Sequence, residues 1–344
     1  MVKPTKQIKK RGLYSSKSSF ATESNSLRDE FHGAPLETYA FVLREDGTVE
    51  APDYAPSADL LSTASPSPPR LAYHDEEQGV WIYHGNSLEL LDAIASKYPR
   101  GRFDCIFADP PYFLSNGGIT CHAGRMVKVD KGNWDKSRGP EINHEFNLEW
   151  LRRCQRVLKP NGSIWVSGTQ HVIFSIGYAM QQLGFKILNS ITWEKPNPPP
   201  NLSCRYFTHS TETVIWAAKN EKSKHCFKYD LMRQTNGGKQ MKAVWKMSAP
   251  GGSEKTHGKH PTQKPVTLVE RCILASTNEG DFVLDPFLGG GTTVVAALRN
   301  ARRCVGIEAE GDYIALSVKR VKAEGQSSKD MFAPKPTGVA EILL

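Results

Sequence analysis

The chain has 344 residues, 39% of them hydrophobic and 23% charged, with a formal net charge of +8. These proportions suit a globular protein of one large or two smaller domains, and the longest apolar runs are strand-sized, so no membrane-spanning helix is expected. The seven cysteines, Cys105, Cys121, Cys154, Cys204, Cys226, Cys272 and Cys304, form no CxxC pair. A disulfide framework and a zinc ribbon are therefore not expected, and a reducing, cytoplasmic compartment is. No apolar run follows the first lysines, so a secretory leader is not expected either. His209, His257 and His260 lack the spacing of metal ligands, and no metal is assigned. The positive charge is a mild footprint for a polyanionic partner.

In chain order, residues 1–30 are Ser-rich and basic (Lys3, Lys6, Lys9, Lys10, Arg11, Lys17), too poor in apolar residues to pack a core. ETYAFVLREDGTVE (37–50) reads as a hairpin about Asp46-Gly47, and SPSPPR (65–70) as a linker. The organised domain is expected to start near Gly79 and run to 324, after an N-terminal extension (1–78) and before a C-terminal tail (325–344). Strand WIYHG (81–85) precedes an amphipathic helix (87–98) behind a serine cap. Strand FDCIFA (103–108) ends at Asp109-Pro110. A helix (147–158) stops at Pro160-Asn161-Gly162, and strand SIWVSG (163–168) precedes a helix at 171–183. KILNSITWEK (186–195) and ETVIWAAK (212–219) are expected to pair antiparallel as a terminal pair of the sheet. A polar, basic stretch follows at 220–259, then a helix (265–277), strand FVLD (282–285), helix (292–300), strand CVGIE (304–308) and helix (312–324). Alternating strands and helices with apolar strands predict a doubly wound α/β fold on a mostly parallel sheet.

Two strand ends carry chemistry. After FVLD come Asp285, Pro286, Phe287 and Gly289-Gly290-Gly291, opening a helix at Thr292-Thr293. Glu308 ends the next strand, where a carboxylate can receive ribose hydroxyls. The run fits neither GxGxxG, since Val294 stands where the third glycine would be, nor GxxxxGK[ST]. Asp109-Pro110-Pro111-Tyr112 follows the other strand. Two prolines end the strand in a stiff turn and leave carbonyls without ladder partners. An exocyclic amino group on a nucleobase is a poor nucleophile because its lone pair is delocalised into the ring. Hydrogen bonds from its N–H groups to Asp109 and to the Pro110 carbonyl would pull it toward tetrahedral geometry and free the lone pair for an electrophilic methyl. Tyr112 can stack on a base taken out of the duplex.

ADPPY (108–112) with DPFLGGGTT (285–293) resembles the amino-group DNA methyltransferases that use S-adenosylmethionine. Supporting matches are GNSLELL (85–91), WEKPNPPP (193–200) and HPTQKP (260–265). The motif order, DPPY first and FxGxG (Phe287, Gly289, Gly291) last, resembles the circularly permuted beta group. The resemblance implies that Asp285, Pro286, the Gly289–Gly291 loop and Thr292 hold the methionine end of the cofactor, that Phe287 packs on it and that Glu308 binds its ribose. It also implies that Thr262, Lys264 and Pro265 line the pocket and that Asp109 borders it. Asn86 stands where relatives usually carry Asp, and can still hydrogen-bond the adenine amino group. DPPY rather than SPPY implies N6 of adenine. N4 of cytosine, a catalytically silent DNA-binding module, and methylation of RNA or a protein glutamine are the alternatives. DPPYFLSNGG followed by VDKGNWD (129–135) resembles adenine methylases of GATC restriction systems. DNA, double-stranded or single-stranded, is the implied partner, along with a homodimer, a cognate endonuclease for the same site, and a nucleoid-associated location in the cytoplasm.

The basic stretch 220–259 fits the slot of a target-recognition insert. Arg233, Gln234, Asn236 and Gln240 suit base edges, Lys242 suits phosphate, and Trp245 is an interleaved aromatic. The Gly-rich loop 113–145 reads either as a segment that closes over the base or enters the minor groove, or as plain disorder. Cys105, Trp165, Trp193 and Trp216 are expected in the core.

Overall fold

A computed structural model describes residues 42–43, 49–50, 68–115, 119–122, 125–128 and 135–332, with side chains for 68–115 and 135–325. The chain divides into two compact units, Met1–Ala55 and Pro56–Leu344. In the first, β1 (Val42–Leu43) pairs antiparallel with β2 (Val49–Glu50). The Asp46-Gly47 turn, the basic stretch 1–30 and the linker up to residue 67 lie outside the described residues.

In the second unit the sheet starts earlier than Gly79, with β3 (Arg70–Asp75) antiparallel to β4 (Val80–His84). Then follow α1 (Ser87–Lys97), β5 (Phe103–Ala108), β6 (Ile119–His122), β7 (Arg125–Lys128), α2 (Pro140–Val157) and β8 (Leu158–Gly168). α3 (Ile173–Gln182), β9 (Lys186–Glu194), β10 (Thr211–Ala218), α4 (Tyr229–Thr235) and β11 (Val244–Lys246) come next. α5 (Val266–Ser276), β12 (Phe282–Asp285), α6 (Thr292–Arg299), β13 (Arg303–Glu308) and α7 (Gly311–Phe332) complete it. β6 and β7 form a separate antiparallel hairpin inside the 113–145 segment.

Nine strands make one sheet in the order β11-β9-β10-β8-β5-β12-β13-β4-β3. Its centre, β8-β5-β12-β13-β4, is parallel. The apolar strand β5 shows why both faces are covered. Cys105 and Phe107 point to one core, with Val269, Val294 and Val321 of α5–α7, while Ile106 and Ala108 point to the other, with Leu91, Trp150 and Ile176 of α1–α3. Cys105, Trp165, Trp193 and Trp216 are buried, as expected.

Within 220–259, α4 and β11 form around buried Met232 and Trp245. Two expectations are corrected. The antiparallel β9–β10 pair is not at the sheet's end, because β11 adds parallel to β9 outside it. The final helix continues past 324 to Phe332.

Candidate active site

The carboxyl ends of β5, β12 and β13 lie on one edge of the parallel sheet, so Asp109, Asp285 and Glu308 converge there. They line one cavity of about 770 Å³, within the usual range for a small-molecule site. A second cavity, of about 320 Å³, lies beside it and includes Trp193, Lys195 and Glu212. Tyr112, His260, Thr262, Gln263 and Lys264 line both.

The turn after β5 is held by a residue from 23 positions downstream. Asp135 is fully buried. Its Oδ1 accepts the backbone N–H groups of Tyr112 (2.9 Å) and Phe113 (2.8 Å), and its Oδ2 accepts the Leu114 N–H (3.2 Å) and the Ser115 hydroxyl (2.9 Å). Prolines supply no N–H, so the turn has no ladder of its own, and one carboxylate replaces it. Phe113 sits in the left-handed region at φ +58°. Such backbone strain persists only where the surroundings over-determine it.

Asp109 is engaged at both oxygens. Oδ1 accepts the Tyr112 hydroxyl at 2.7 Å, and Oδ2 accepts the Lys264 ammonium at 2.6 Å. The Tyr112 hydroxyl also meets Ser167 Oγ at 3.1 Å and Glu212 Oε2 at 3.3 Å. Lys264 is only 5% exposed and stands 3.6 Å from Glu212, whose other oxygen is bonded by Lys195. Burial disfavours the charge on Lys264, yet Asp109 and Glu212 outweigh it and hold its pKa above the ordinary value. Burial raises the Asp109 pKa against the pull of Lys264. Glu212 is also penalised by burial, but Lys264 and Lys195 win and lower it.

At the other strand ends, Asp285 accepts the Phe287 N–H at 2.9 Å and the Thr293 hydroxyl at 2.5 Å. Burial outweighs both bonds and pushes its pKa up to about 7. Glu308 accepts the N–H groups of Gly289 (2.6 Å) and Glu310 (2.8 Å). Phe287 presents its ring to the cavity, backed edge-on by Trp150 at 5.3 Å.

Comparison with known proteins follows the same residues. The pattern of the N6/N4 DNA methylase family matches residues 103–319. The chain is 54% identical over 257 residues to the Type II methyltransferase M2.DpnII of Streptococcus pneumoniae, covering 74% of this chain and 94% of that protein. It is 48% identical over 248 residues to M2.MboI of Moraxella bovis, covering 72% and 89%. Its fold is similar to the crystal structure of the M1.HpyAVI–SAM complex, with a TM-score of 0.54 and 29% identity, over 70% of this chain and 98% of that one. The chain belongs to the N6/N4 DNA methylase family.

Most of the sequence-predicted residues of this methylase come together. Asn86, Asp109, Pro110, Pro111, Tyr112, Thr262, Lys264, Asp285, Pro286, Phe287, Gly289, Gly290, Thr292 and Glu308 all line the larger cavity. Pro265 does not; it precedes α5 as its cap residue. Gly291 does not line it either. At φ +82° a Cβ would come 2.8 Å from the Ser317 Cβ, so this glycine serves helix packing rather than ligand approach. The serine cap of α1 is corrected too: the Asn86 side chain accepts the Leu88 N–H at 2.8 Å, and Ser87 donates to the Pro286 carbonyl at 2.6 Å, tying the two strand ends together. Tyr112 is 6% exposed, so stacking on a base is limited to the part that faces the cavities.

In the 220–259 segment, Trp245 is corrected from nucleic-acid contact to core. It is buried, packs on Trp165 at 6.1 Å and donates to the Lys242 carbonyl. Gln234, Gln240 and Lys242 are exposed, while Arg233 Nε and the Asn236 amide donate to carbonyls of their own loop. Sequence reasoning missed Asp135, Ser167, Lys195 and Glu212. A signal existed for the last two: pairing 186–195 against 212–219 brings Lys195 and Glu212 to the same end of one ladder.

Proposed function

We propose that this methylase transfers a methyl group from S-adenosylmethionine to the N6 amino group of adenine in duplex DNA, within GATC. The observation that carries the reading is that Tyr112 and Lys264, which line both cavities, are both bonded to Asp109 of the larger one. The larger cavity fits the cofactor by its chemistry. It presents the carboxylates of Asp109, Asp285 and Glu308 to a ligand bearing a sulfonium, an ammonium and hydroxyl donors. The buried Gln263 Oε1 has no donor among the described residues, while its amide nitrogen donates to the Glu254 carbonyl at 3.0 Å. An unpaired buried acceptor calls for a donor.

Asp285 and Gly289–Gly290 would hold the methionine end, Glu308 the ribose, and Phe287 a flat face. The bound cofactor supplies an electrophilic methyl. Asp109 and the Pro110 carbonyl accept the two amino hydrogens of the adenine, which enters through the smaller cavity after leaving the stack. Asp135 keeps that turn in place, and positioning is the main contribution the protein makes. Of the recognition residues, Gln234, Gln240 and Arg233 would read base edges, Lys242 phosphate, and Asn236 would shape the loop. The Pro-Tyr context DPPYFLSNGG and VDKGNWD supports GATC. A homodimer and a cognate endonuclease for the same site belong to this reading.

The direct test is protection. DNA incubated with the protein and S-adenosylmethionine becomes resistant to a nuclease that cuts only unmethylated GATC. DNA that carries enzyme-transferred methyl groups yet is still cut at every GATC contradicts the site assignment.

A further inference from the structure

The Asp109 carboxylate faces a conflict. The proposed reaction needs it to accept an amino N–H at an oxygen that already accepts either the Tyr112 hydroxyl or the Lys264 ammonium. A second lone pair remains on each oxygen, but a carboxylate whose charge is neutralised by an ammonium is a weaker acceptor for a neutral amine. Lys264 cannot retreat into water, being 5% exposed, and a desolvated cation without a partner is strongly unfavourable. Only one other carboxylate is within reach among the described residues: Glu212 Oε2, at 3.6 Å from the same ammonium. A shift of less than about 1 Å would turn that approach into a full charge-assisted hydrogen bond.

Glu212 is built to wait there. It is the second residue of β10, in register with Trp193 of β9. The Lys195 ammonium, just beyond the end of β9, bonds its Oε1, and the Tyr112 hydroxyl reaches its Oε2 at 3.3 Å. Two cations and two carboxylates alternate through the cluster, so moving Lys264 from one carboxylate to the other leaves the total charge unchanged.

We propose that Glu212 is a positioning residue that takes over the Lys264 ammonium when the target amino group claims Asp109. This rests on the function proposed above. It assigns Lys264 two stations and makes Glu212 necessary for the reaction without contact to the reacting atoms.

The test is steady-state methyl transfer to unmethylated genomic DNA across pH, with S-adenosylmethionine binding measured by calorimetry. Glu212→Gln keeps shape and loses charge. Its kcat is expected to fall tenfold or more, while the cofactor Kd stays within twofold. The groups facing Asp109 are Lys264, Glu212, Tyr112 and Asp285. Removing one negative charge from this set moves the acid limb of the kcat profile to lower pH even as the plateau drops, and moves it further than the limb of kcat/KM, which reports the free protein with Lys264 still on Asp109. Limbs that move equally, as a fixed charge at Glu212 would give, overturn the proposal, as does a kcat within twofold of wild type. Glu212→Asp keeps the charge one methylene further away. A kcat two- to tenfold below wild type supports the hand-over even if Glu212→Gln fails to fold, and an unchanged kcat overturns it. Wild-type protein that transfers no methyl to DNA at all would instead overturn the proposed function.

Discussion

Asp285 offers a prediction with a worked magnitude. It is 3% exposed, and burial pushes its pKa up to about 7 despite the Thr293 hydroxyl and the Phe287 N–H. Only the ionised carboxylate attracts the cationic methionine end of the methyl donor. With a pKa of about 7, roughly one molecule in eleven is ionised at pH 6 and ten in eleven at pH 8. Cofactor affinity should therefore rise about tenfold between those pH values, or about 1.4 kcal/mol. Calorimetry at several pH values measures this, and repeating pH 6 in two buffers of different ionisation enthalpy counts the proton released. Asp285→Asn should bind more weakly and lose the slope. The ligand-free protein carries the opposite sign. Between the ordinary carboxylate value and about 7, the folded state holds a proton that the unfolded state has lost, so stability declines as pH rises through that window, by up to about 4 kcal/mol. Asp285→Asn should melt with a shallower decline. A flat cofactor affinity from pH 6 to 8, or a slope that survives in Asp285→Asn, refutes the assignment.

Asp109→Ala should cut turnover by about a hundredfold or more while calorimetry still detects cofactor binding; near-normal turnover would remove Asp109 from the reaction. Tyr112→Phe deletes a hydroxyl shared by Asp109, Ser167 and Glu212, and kcat should drop at least tenfold with little change in melting temperature. Asp135→Ala strands three backbone N–H groups and the Ser115 hydroxyl. At about 1–3 kcal/mol for each of these four unsatisfied groups, chemical denaturation should show a loss of about 4 kcal/mol or more. Gly291→Ala meets the Ser317 Cβ at 2.8 Å with φ +82° and should lose about 2–4 kcal/mol of stability, as overpacking and left-handed strain add.

The sheet was readable because its central strands are short apolar runs that end at Asp109, Asp285 and Glu308. The parts that misled are those where local pattern and tertiary context part company. Trp245 lies among lysines and reads as a surface aromatic, but β11 turns it against Trp165. Gly291 belongs to a glycine run that suggests a cradle, but Ser317 of α7 occupies the space its side chain would need. Ser87 has the composition of a cap, yet Asn86 caps the helix and frees Ser87 to hold the Pro286 carbonyl. Asp135 and Glu212 both act on Tyr112, across 23 and 100 residues of sequence, and no periodicity encodes such pairs. The β9–β10 register was the one sequence-level clue to Glu212.

The central claim is that Asp109, Pro110 and Tyr112 prepare an adenine amino group for methyl transfer. The measurement that tests it most directly is transfer of a labelled methyl from S-adenosylmethionine to unmethylated genomic DNA, followed by digestion to nucleosides. The account predicts label in N6-methyladenosine alone, in its deoxy form, incorporated about a hundredfold or more slowly by Asp109→Ala. Label in N4-methylcytosine, or no labelled nucleoside from protein that binds the cofactor, would contradict it.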